Sequence, residues 1–315
     1  MARCLIGLGS NLGNRREMLE RALAELRGHS QIQVIAVSSF HETAPIGGPA
    51  GQPFYLNAVA ALDCSLPPDG LLQLLEQIEL KHGRRREETW GPRTLDLDLL
   101  LYEDIVLSTP RLELPHPRMA WRRFVLEPAA EVAQDVLHPT IGWTIGRLLE
   151  HLNTALPYVA ITGTIATGKT QLAGILCEKI SARLISESID ENLLETFYAD
   201  PAGHAWTMEL EFLGERTTLL SSDAVIWSEH SQWVVSDFWF DQSPGFARAW
   251  LDQSQWPAYQ ELWQQARQKV VGPKLLVLLD APSEVLLDRI SRRARCGEQN
   301  LNPAQLERIR QSILD

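Results

Sequence analysis

Apolar residues along this chain fall into two rhythms, and each rhythm predicts a kind of element. Recurrence three and four residues apart marks one face of a helix; alternation marks one face of a strand. In the first half, Arg3–Leu8 and Ile32–Phe40 are short apolar or β-branched runs that predict strands, and Phe54–Leu62 and Thr94–Leu101 alternate. Between them, Asn14–Arg27 carries Met18, Leu19, Ala22, Leu23 and Leu26 at helical spacing. Pro68–His82 places Leu71, Leu72, Leu75 and Ile78 on one helical face. A sheet with flanking helices follows, of the α+β or α/β class.

The second half is more regular. Tyr158–Thr162, Ala182–Glu187, Gln232–Ser236 and Lys274–Asp280 predict strands, the last two of the fully buried kind. Thr170–Ser181, Trp206–Leu220 and Ser283–Arg293 predict helices, with Trp206, Leu210, Leu213 and Leu220 on one stripe. Strands alternating with helices imply a parallel sheet. The halves meet at His151–Pro157, after the apolar helical stretch Ile141–Leu152. Pro157 disfavours helix in the residue before it, and a new strand opens at Tyr158. The expected domains are 1–155 and 157–315.

Composition narrows the classes. A chain of 315 residues suits two domains, and 45% hydrophobic residues suffice for cores, which excludes disorder as the main state. The net charge is −11, divided as 15 basic and 19 acidic residues over 1–156 and 14 and 21 over the rest. Neither half is a basic module, so no nucleic-acid or anionic-membrane partner is expected, although local sites for phosphate remain open. The four cysteines, at 4, 64, 177 and 296, form no C-x-x-C pair and fit reduced thiols. No run has the length of a membrane span or a signal peptide, so the expected location is cytoplasmic.

The sharpest chemical signal is Trp90-Gly-Pro-Arg-Thr-Leu-Asp-Leu-Asp-Leu-Leu100. In a strand, residues two apart point the same way, so Asp96 and Asp98 share one face and Leu95, Leu97 and Leu99 the other. Paired carboxylates repel unless a positive group holds them; Mg²⁺ is commonly bound by one or two carboxylates together with substrate phosphates. A solvent-facing strand edge is the plainer reading of two such acids. Their neighbours favour the metal: Arg84, Arg85, Arg86 and Arg93 upstream, and Arg111, His116, Arg118, Arg122 and Arg123 downstream. Cations around a two-acid metal site describe phosphoryl transfer.

These residues also carry a resemblance. Gly7–Asn14, Thr43–Asn57, Trp90–Asp98 and Leu114–Pro117 with Arg122 and Phe124 resemble the 6-hydroxymethyl-7,8-dihydropterin pyrophosphokinases of folate biosynthesis. The resemblance implies a ferredoxin-like α+β domain that moves the terminal diphosphate of ATP to the pterin hydroxymethyl group and releases AMP. It implies Mg²⁺ on Asp96 and Asp98, and Arg84 and Arg93 as catalytic cations. It implies ATP contacts from Arg111, His116 and Arg122, and a pterin pocket of Thr43, Ile46, Tyr55, Asn57 and Phe124. Glu76 stands where a Gln meets the nucleotide in well-known members.

In the second half, Gly163-Thr-Ile-Ala-Thr-Gly-Lys-Thr170 fits the phosphate loop G-x-x-x-x-G-K-[ST], between a strand and a helix as that loop requires. With Glu187 at the end of the next strand, Glu209 and Arg216 on one helix face and an Arg-rich segment after the last strand, it resembles the deoxynucleoside kinases. This implies an α/β P-loop kinase domain with a parallel sheet, in which Glu187 is the general base. Gly163, Gly168, Lys169 and Thr170 would hold phosphate and Mg²⁺, Arg293 and Arg295 would form a lid, and Glu209 and Arg216 would meet the nucleoside. Ser236-Asp237-Phe238 replaces the family's acidic-Arg-Ser/Thr string, and Glu209 replaces the Gln that reads the base.

Two readings of the second half stay open. In one it phosphorylates a deoxynucleoside 5′-hydroxyl with ATP. In the other it is a degenerate kinase fold used for dimerisation or interaction. A homodimer through this half, with Trp227, Trp233 and Trp239 as its apolar surface, belongs to the second reading, and core packing is the competing role for those rings.

Overall fold

The computed structural model describes residues 1–83, 91–188, 190–228, 232–293, 297–298 and 301–314. Arg84, Trp90 and Arg295 lie outside the described residues. The chain forms two compact units, Met1–Thr154 and Ala155–Asp315.

The first unit is built on one antiparallel sheet. Its strands are β1 (Ala2–Ser10), β2 (Ile32–Val37), β3 (His41–Thr43), β4 (Tyr55–Cys64) and β5 (Asp96–Tyr102), in the order β2-β4-β1-β5, with β3 also paired to β4. Alternation sorts the side chains between two cores. Ile6 and Leu8 of β1, Ala58 and Ala60 of β4, and Leu97 and Leu99 of β5 meet helices α1 (Arg15–Gly28) and α2 (Pro68–Lys81). Leu5, Val59 and Ala61 instead meet α3 (Arg123–Ala133) and α4 (Ile145–Thr154), through Leu126, Ala129, Ile145 and Leu148. The result is a three-layer α+β unit. A ribbon of β6 (Leu107–Ser108) and β7 (Glu113–Leu114) precedes α3.

Three boundaries differ from the pattern. The Ile32–Phe40 strand ends at Val37, because Ser38 turns inward: its N–H donates to Val59 O and its hydroxyl accepts from Val59 N. The helix expected from Ile141 starts at Ile145, since a Leu137–Thr144 bridge and a left-handed Gly142 hold the preceding residues in a turn. Helix α3 is additional; Val125, Leu126, Ala129 and Ala133 form its buried stripe.

The second unit has a four-stranded sheet of β8 (Tyr158–Gly163), β9 (Arg183–Ile185), β10 (Val234–Ser236) and β11 (Leu275–Leu279), all parallel and ordered β11-β8-β10-β9. Helices α5 (Lys169–Ile180), α6 (Glu191–Ala199), α7 (Pro201–Leu219), α8 (Ser243–Trp250), α9 (Trp256–Arg267), α10 (Ser283–Arg293) and α11 (Pro303–Leu314) surround it. Helix α7 starts before its Trp206 stripe because Asp200 caps it, accepting from Gly203 N, with Pro201 at its first position. Strand β10 is buried throughout, but β11 corrects the expectation of a buried Lys274–Asp280 strand. It lies at a sheet edge, with Leu275, Leu276 and Leu278 36%, 39% and 46% exposed. Trp227 is buried, donating its ring N–H to Ser221 O, and Trp239 packs on the same core. Of the three tryptophans considered for an interface, only Trp233 is exposed. Among the described residues no helix is long and apolar enough to cross a membrane.

Candidate functional site

In the first unit the sheet face towards α3 is left open at one end. Strand register explains the opening. Gly9 pairs with Asn57 on one side and Asp96 on the other, and Gly7 pairs with Val59 and Asp98. Two glycines on the central strand therefore bare the sheet between Asn57 and the two aspartates. A Cβ on Gly9 would stand 3.1 Å from Asn57 Oδ1. A cavity of ≈ 460 Å³ lies over this floor.

The cavity brings together Thr43, Ile46, Tyr55, Asn57, Arg93, Asp96, Asp98, His116, Arg122 and Phe124. Arg111 is not among its lining residues and forms an ion pair with Glu76 at 3.0 Å. Gln52, Arg118 and Trp121 also line it. Gln52 and Trp121 carried no signal of their own in the sequence.

Asn57 Nδ2 donates to Thr43 Oγ1 at 2.7 Å, which fixes the amide with its oxygen towards Gly9. Arg93 donates to Asp96 at 2.7 Å. Burial pulls the Arg93 pKa down, but Asp96 and then Asp98 outweigh it, so the guanidinium is held more firmly charged than usual. Asn11 fixes the backbone here: its Oδ1 accepts from Arg93 N and its N–H donates to Arg93 O.

His116 is pushed down to about 4, first by burial and then by Arg122 and Arg118. Its Nδ1 accepts the Arg118 backbone N–H, so the neutral ring carries its proton on Nε2, 4.0 Å from Asp98. The Arg122 guanidinium lies 5.3 Å from the Phe124 ring centre and 5.6 Å from that of Trp121. The site thus combines a carboxylate pair, a ring of cations, a neutral N–H donor and an aromatic wall. It can hold an anion of high charge beside a flat heterocycle.

In the second unit, candidate residues gather beyond the carboxyl ends of the parallel strands, the usual ligand crevice of such sheets. The loop from Gly163 leads to α5, whose N-cap Gly168 has φ +99°. Gly163 must lack a side chain, since a Cβ would stand 2.2 Å from Leu279 O. Lys169 Nζ donates to Gly163 O and Thr164 O at 2.9 and 2.8 Å. Burial pushes it down to about 8 against the pull of Glu187 and Asp237. Thr170 donates to Asp237 Oδ2 at 2.7 Å. Asp237 is the first residue beyond β10; along the sequence it stands only as part of a departure from a family string, because its place next to the loop needs the parallel sheet.

Arg216, buried in α7, donates to Glu187 and to Ser243 Oγ. Glu209 is buried on the same helix; burial raises it to about 8, Arg216 opposes and Glu187 adds to the rise. One Glu209 carboxyl oxygen has no hydrogen-bond partner. Arg293 pairs with Glu298, and Arg289 donates to the loop carbonyls of Ala166 and Thr167.

Comparison with known proteins divides along the same line. Residues 5–134 match the 7,8-dihydro-6-hydroxymethylpterin-pyrophosphokinase family, and residues 159–313 match the deoxynucleoside kinase family. A 2-amino-4-hydroxy-6-hydroxymethyldihydropteridine pyrophosphokinase of Pseudomonas aeruginosa is 44% identical over 159 residues, which are 50% of this chain and 94% of that protein. The protein of the same name from Synechocystis is 46% identical, over 47% of this chain and 75% of its own length. Among solved structures, deoxyadenosine kinase from M. mycoides with bound dATP aligns at a TM-score of 0.44 and 18% identity, over 50% of this chain and 82% of that one.

Proposed function

Through its first half the chain belongs to the 7,8-dihydro-6-hydroxymethylpterin-pyrophosphokinase family, and from that premise we propose how its residues divide the reaction. The first unit is an ATP:hydroxymethyldihydropterin diphosphotransferase. The pterin hydroxymethyl oxygen attacks the β-phosphorus of ATP, the bond to the α-phosphate oxygen breaks, and AMP leaves. The observation that carries the reading is the shared open face: Asn57, Asp96 and Asp98 stand around a floor of glycines, with His116 and Arg122 lining the same cavity.

Asn57 and Thr43 read the heterocycle edge, and Tyr55, Ile46 and Phe124 enclose its faces. Arg93 stays cationic beside the moving diphosphate, and His116 donates Nε2–H to a phosphate oxygen without adding charge. Arg122 lies beside them, and Arg111 contacts the nucleotide from its pair with Glu76. Arg84, outside the described residues, would complete the cations. Asp96 and Asp98 would hold Mg²⁺, being hard oxygen donors of the kind that ion takes together with substrate phosphates. When bound, Mg²⁺ neutralises phosphate charge. Asp96→Asn and Asp98→Asn should each lower pterin-dependent AMP release by about 10²-fold or more; unchanged turnover in both would remove the carboxylate pair from the mechanism.

The second unit is read as an ATP-dependent kinase acting on a deoxynucleoside 5′-hydroxyl. Supporting this, Lys169, Thr170, Asp237, Glu187 and Arg216 converge at the strand ends. Glu187 takes the hydroxyl proton, Arg216 positions Glu187, and Glu209 meets the base. Gly163, Gly168 and Lys169 cradle phosphate, Thr170 with Asp237 would hold Mg²⁺, and Arg293, together with Arg295 outside the described residues, would contact the nucleotide phosphates. Deoxynucleoside-dependent ADP formation, lost in Glu187→Gln, tests it. ADP at background with every deoxynucleoside would leave the degenerate-fold reading.

A further inference from the structure

Arg122 is held differently from the cations around it. Arg93 pairs with Asp96 at 2.7 Å, Arg111 with Glu76 at 3.0 Å and Arg123 with Glu127 at 4.0 Å. Among the described residues no side-chain hydrogen bond or ion pair fixes the Arg122 guanidinium, which lies over the rings of Trp121 and Phe124 instead. Both ring centres are within the roughly 6 Å over which an aromatic face attracts a cation. Burial, Arg118 and Arg93 disfavour a charge at this point, and Asp98 and Asp96 offset them in part, so the Arg122 pKa lies below the ordinary value. A cation so placed needs something to hold it.

The backbone supplies the two rings from either side in sequence. Met119–Trp121 form a 3-10 turn, Arg122 is extended at φ −96° and ψ 106°, and α3 begins at Arg123. Trp121 thus ends the turn before Arg122, and Phe124 stands in the first turn of the helix after it. Trp121 is 45% exposed and lines the cavity, so core packing does not account for its ring. Stacking uses the faces of a guanidinium and leaves its N–H edge free, whereas a carboxylate would occupy that edge. Phe124, in the reading above, also encloses the pterin, so its ring is shared between the two substrates' residues. We propose that Trp121 is a positioning residue for Arg122, holding the guanidinium among its like-charged neighbours with its N–H donors free for a phosphate oxygen of the nucleotide. The inference rests on the pyrophosphokinase reading of the site and names a residue which that reading does not use.

Equilibrium binding of α,β-methylene-ATP with Mg²⁺, an analogue that cannot release AMP, tests the role. Trp121→Leu keeps an apolar side chain but removes the ring face, and should weaken binding about tenfold. Trp121→Phe keeps a ring face and should restore most of the loss. In an Arg122→Met background, Trp121→Leu should have no further effect, because the two residues act as one unit. In turnover with pterin, Trp121→Leu should raise the ATP KM by a similar factor and change kcat little, as expected for lost uniform binding. Equal binding by wild type and Trp121→Leu, or no recovery in Trp121→Phe, would overturn the proposal. So would a loss that persists in the Arg122→Met background, which would mean that the indole touches the nucleotide itself. The binding assay needs no turnover, so a wild type without pterin-dependent AMP would sink the pyrophosphokinase reading separately from these outcomes.

Discussion

Glu79, buried in α2, accepts the backbone N–H of Leu97 at 2.7 Å, between the two aspartates of β5. Among the described residues β5 is the sheet's edge, and no strand meets this N–H on that side. A carboxylate from the helix layer takes the strand's place and fixes the backbone from which Asp96 and Asp98 project. Glu79→Ala leaves a buried donor unsatisfied, at a cost of about 1–3 kcal/mol. It should lower kcat for AMP release more than it lowers pterin affinity, with Glu79→Gln, which still accepts, partly restoring it. Steady-state kinetics and thermal unfolding of both variants check this.

Gly9 sets the pterin side of the floor. An alanine there would press on Asn57 Oδ1 and move the amide by a few tenths of an ångström. Gly9→Ala should raise the pterin KM about tenfold and leave the ATP KM nearly unchanged, since small misplacements at a reading group are costly.

His116 gives the first unit a pH signature. Its folded pKa, about 4, lies below the ordinary 6.5, so between these values the unfolded chain binds the extra proton. Stability therefore falls as pH drops through that window, on the order of 3 kcal/mol by its lower end. His116→Gln should flatten this part of the profile. Chemical denaturation across the window measures it, and an unchanged slope would contradict the buried neutral ring.

Glu209 predicts a signature of the opposite sense in the second unit. Its folded pKa, about 8, is raised from 4.5, so the folded state holds the proton between these values. Its contribution to stability is full below 4.5 and is lost as pH rises through 8. Glu209→Gln should remove that decline while filling the same space. Unfolding midpoints compared in weakly acidic and weakly alkaline buffer give the test.

Lys169 trades stability for phosphate binding. Burial has lowered it to about 8, which means its charge is unwelcome in the folded state at neutral pH. Lys169→Met should stabilise the second unit by about 1–3 kcal/mol at neutral pH and abolish any deoxynucleoside-dependent ADP formation. Calorimetry and the ADP assay on the same preparation read both.

Legibility in the sequence followed locality. The alternation of Leu95, Leu97 and Leu99 with Asp96 and Asp98 placed both carboxylates on one face, because a strand's period is a local property. The stripes of α1 and α2 were visible for the same reason. The contact of Glu79 with Leu97 left no such trace, since it joins a helix to a strand edge 18 residues away. Asp237 reaches Thr170 across 67 residues, through a parallel pairing that no local pattern records. Strand β11 misled for a related reason: five consecutive apolar residues indicate burial, and only the sheet order reveals an edge.

The most direct measurement follows the phosphorus atoms of ATP. With ATP labelled at the α-phosphate, Mg²⁺ and 6-hydroxymethyl-7,8-dihydropterin, the account predicts label accumulating as AMP only when the pterin is present, with the pterin carrying two phosphates. Label appearing as ADP with a pterin monophosphate, or no pterin-dependent turnover, would contradict it.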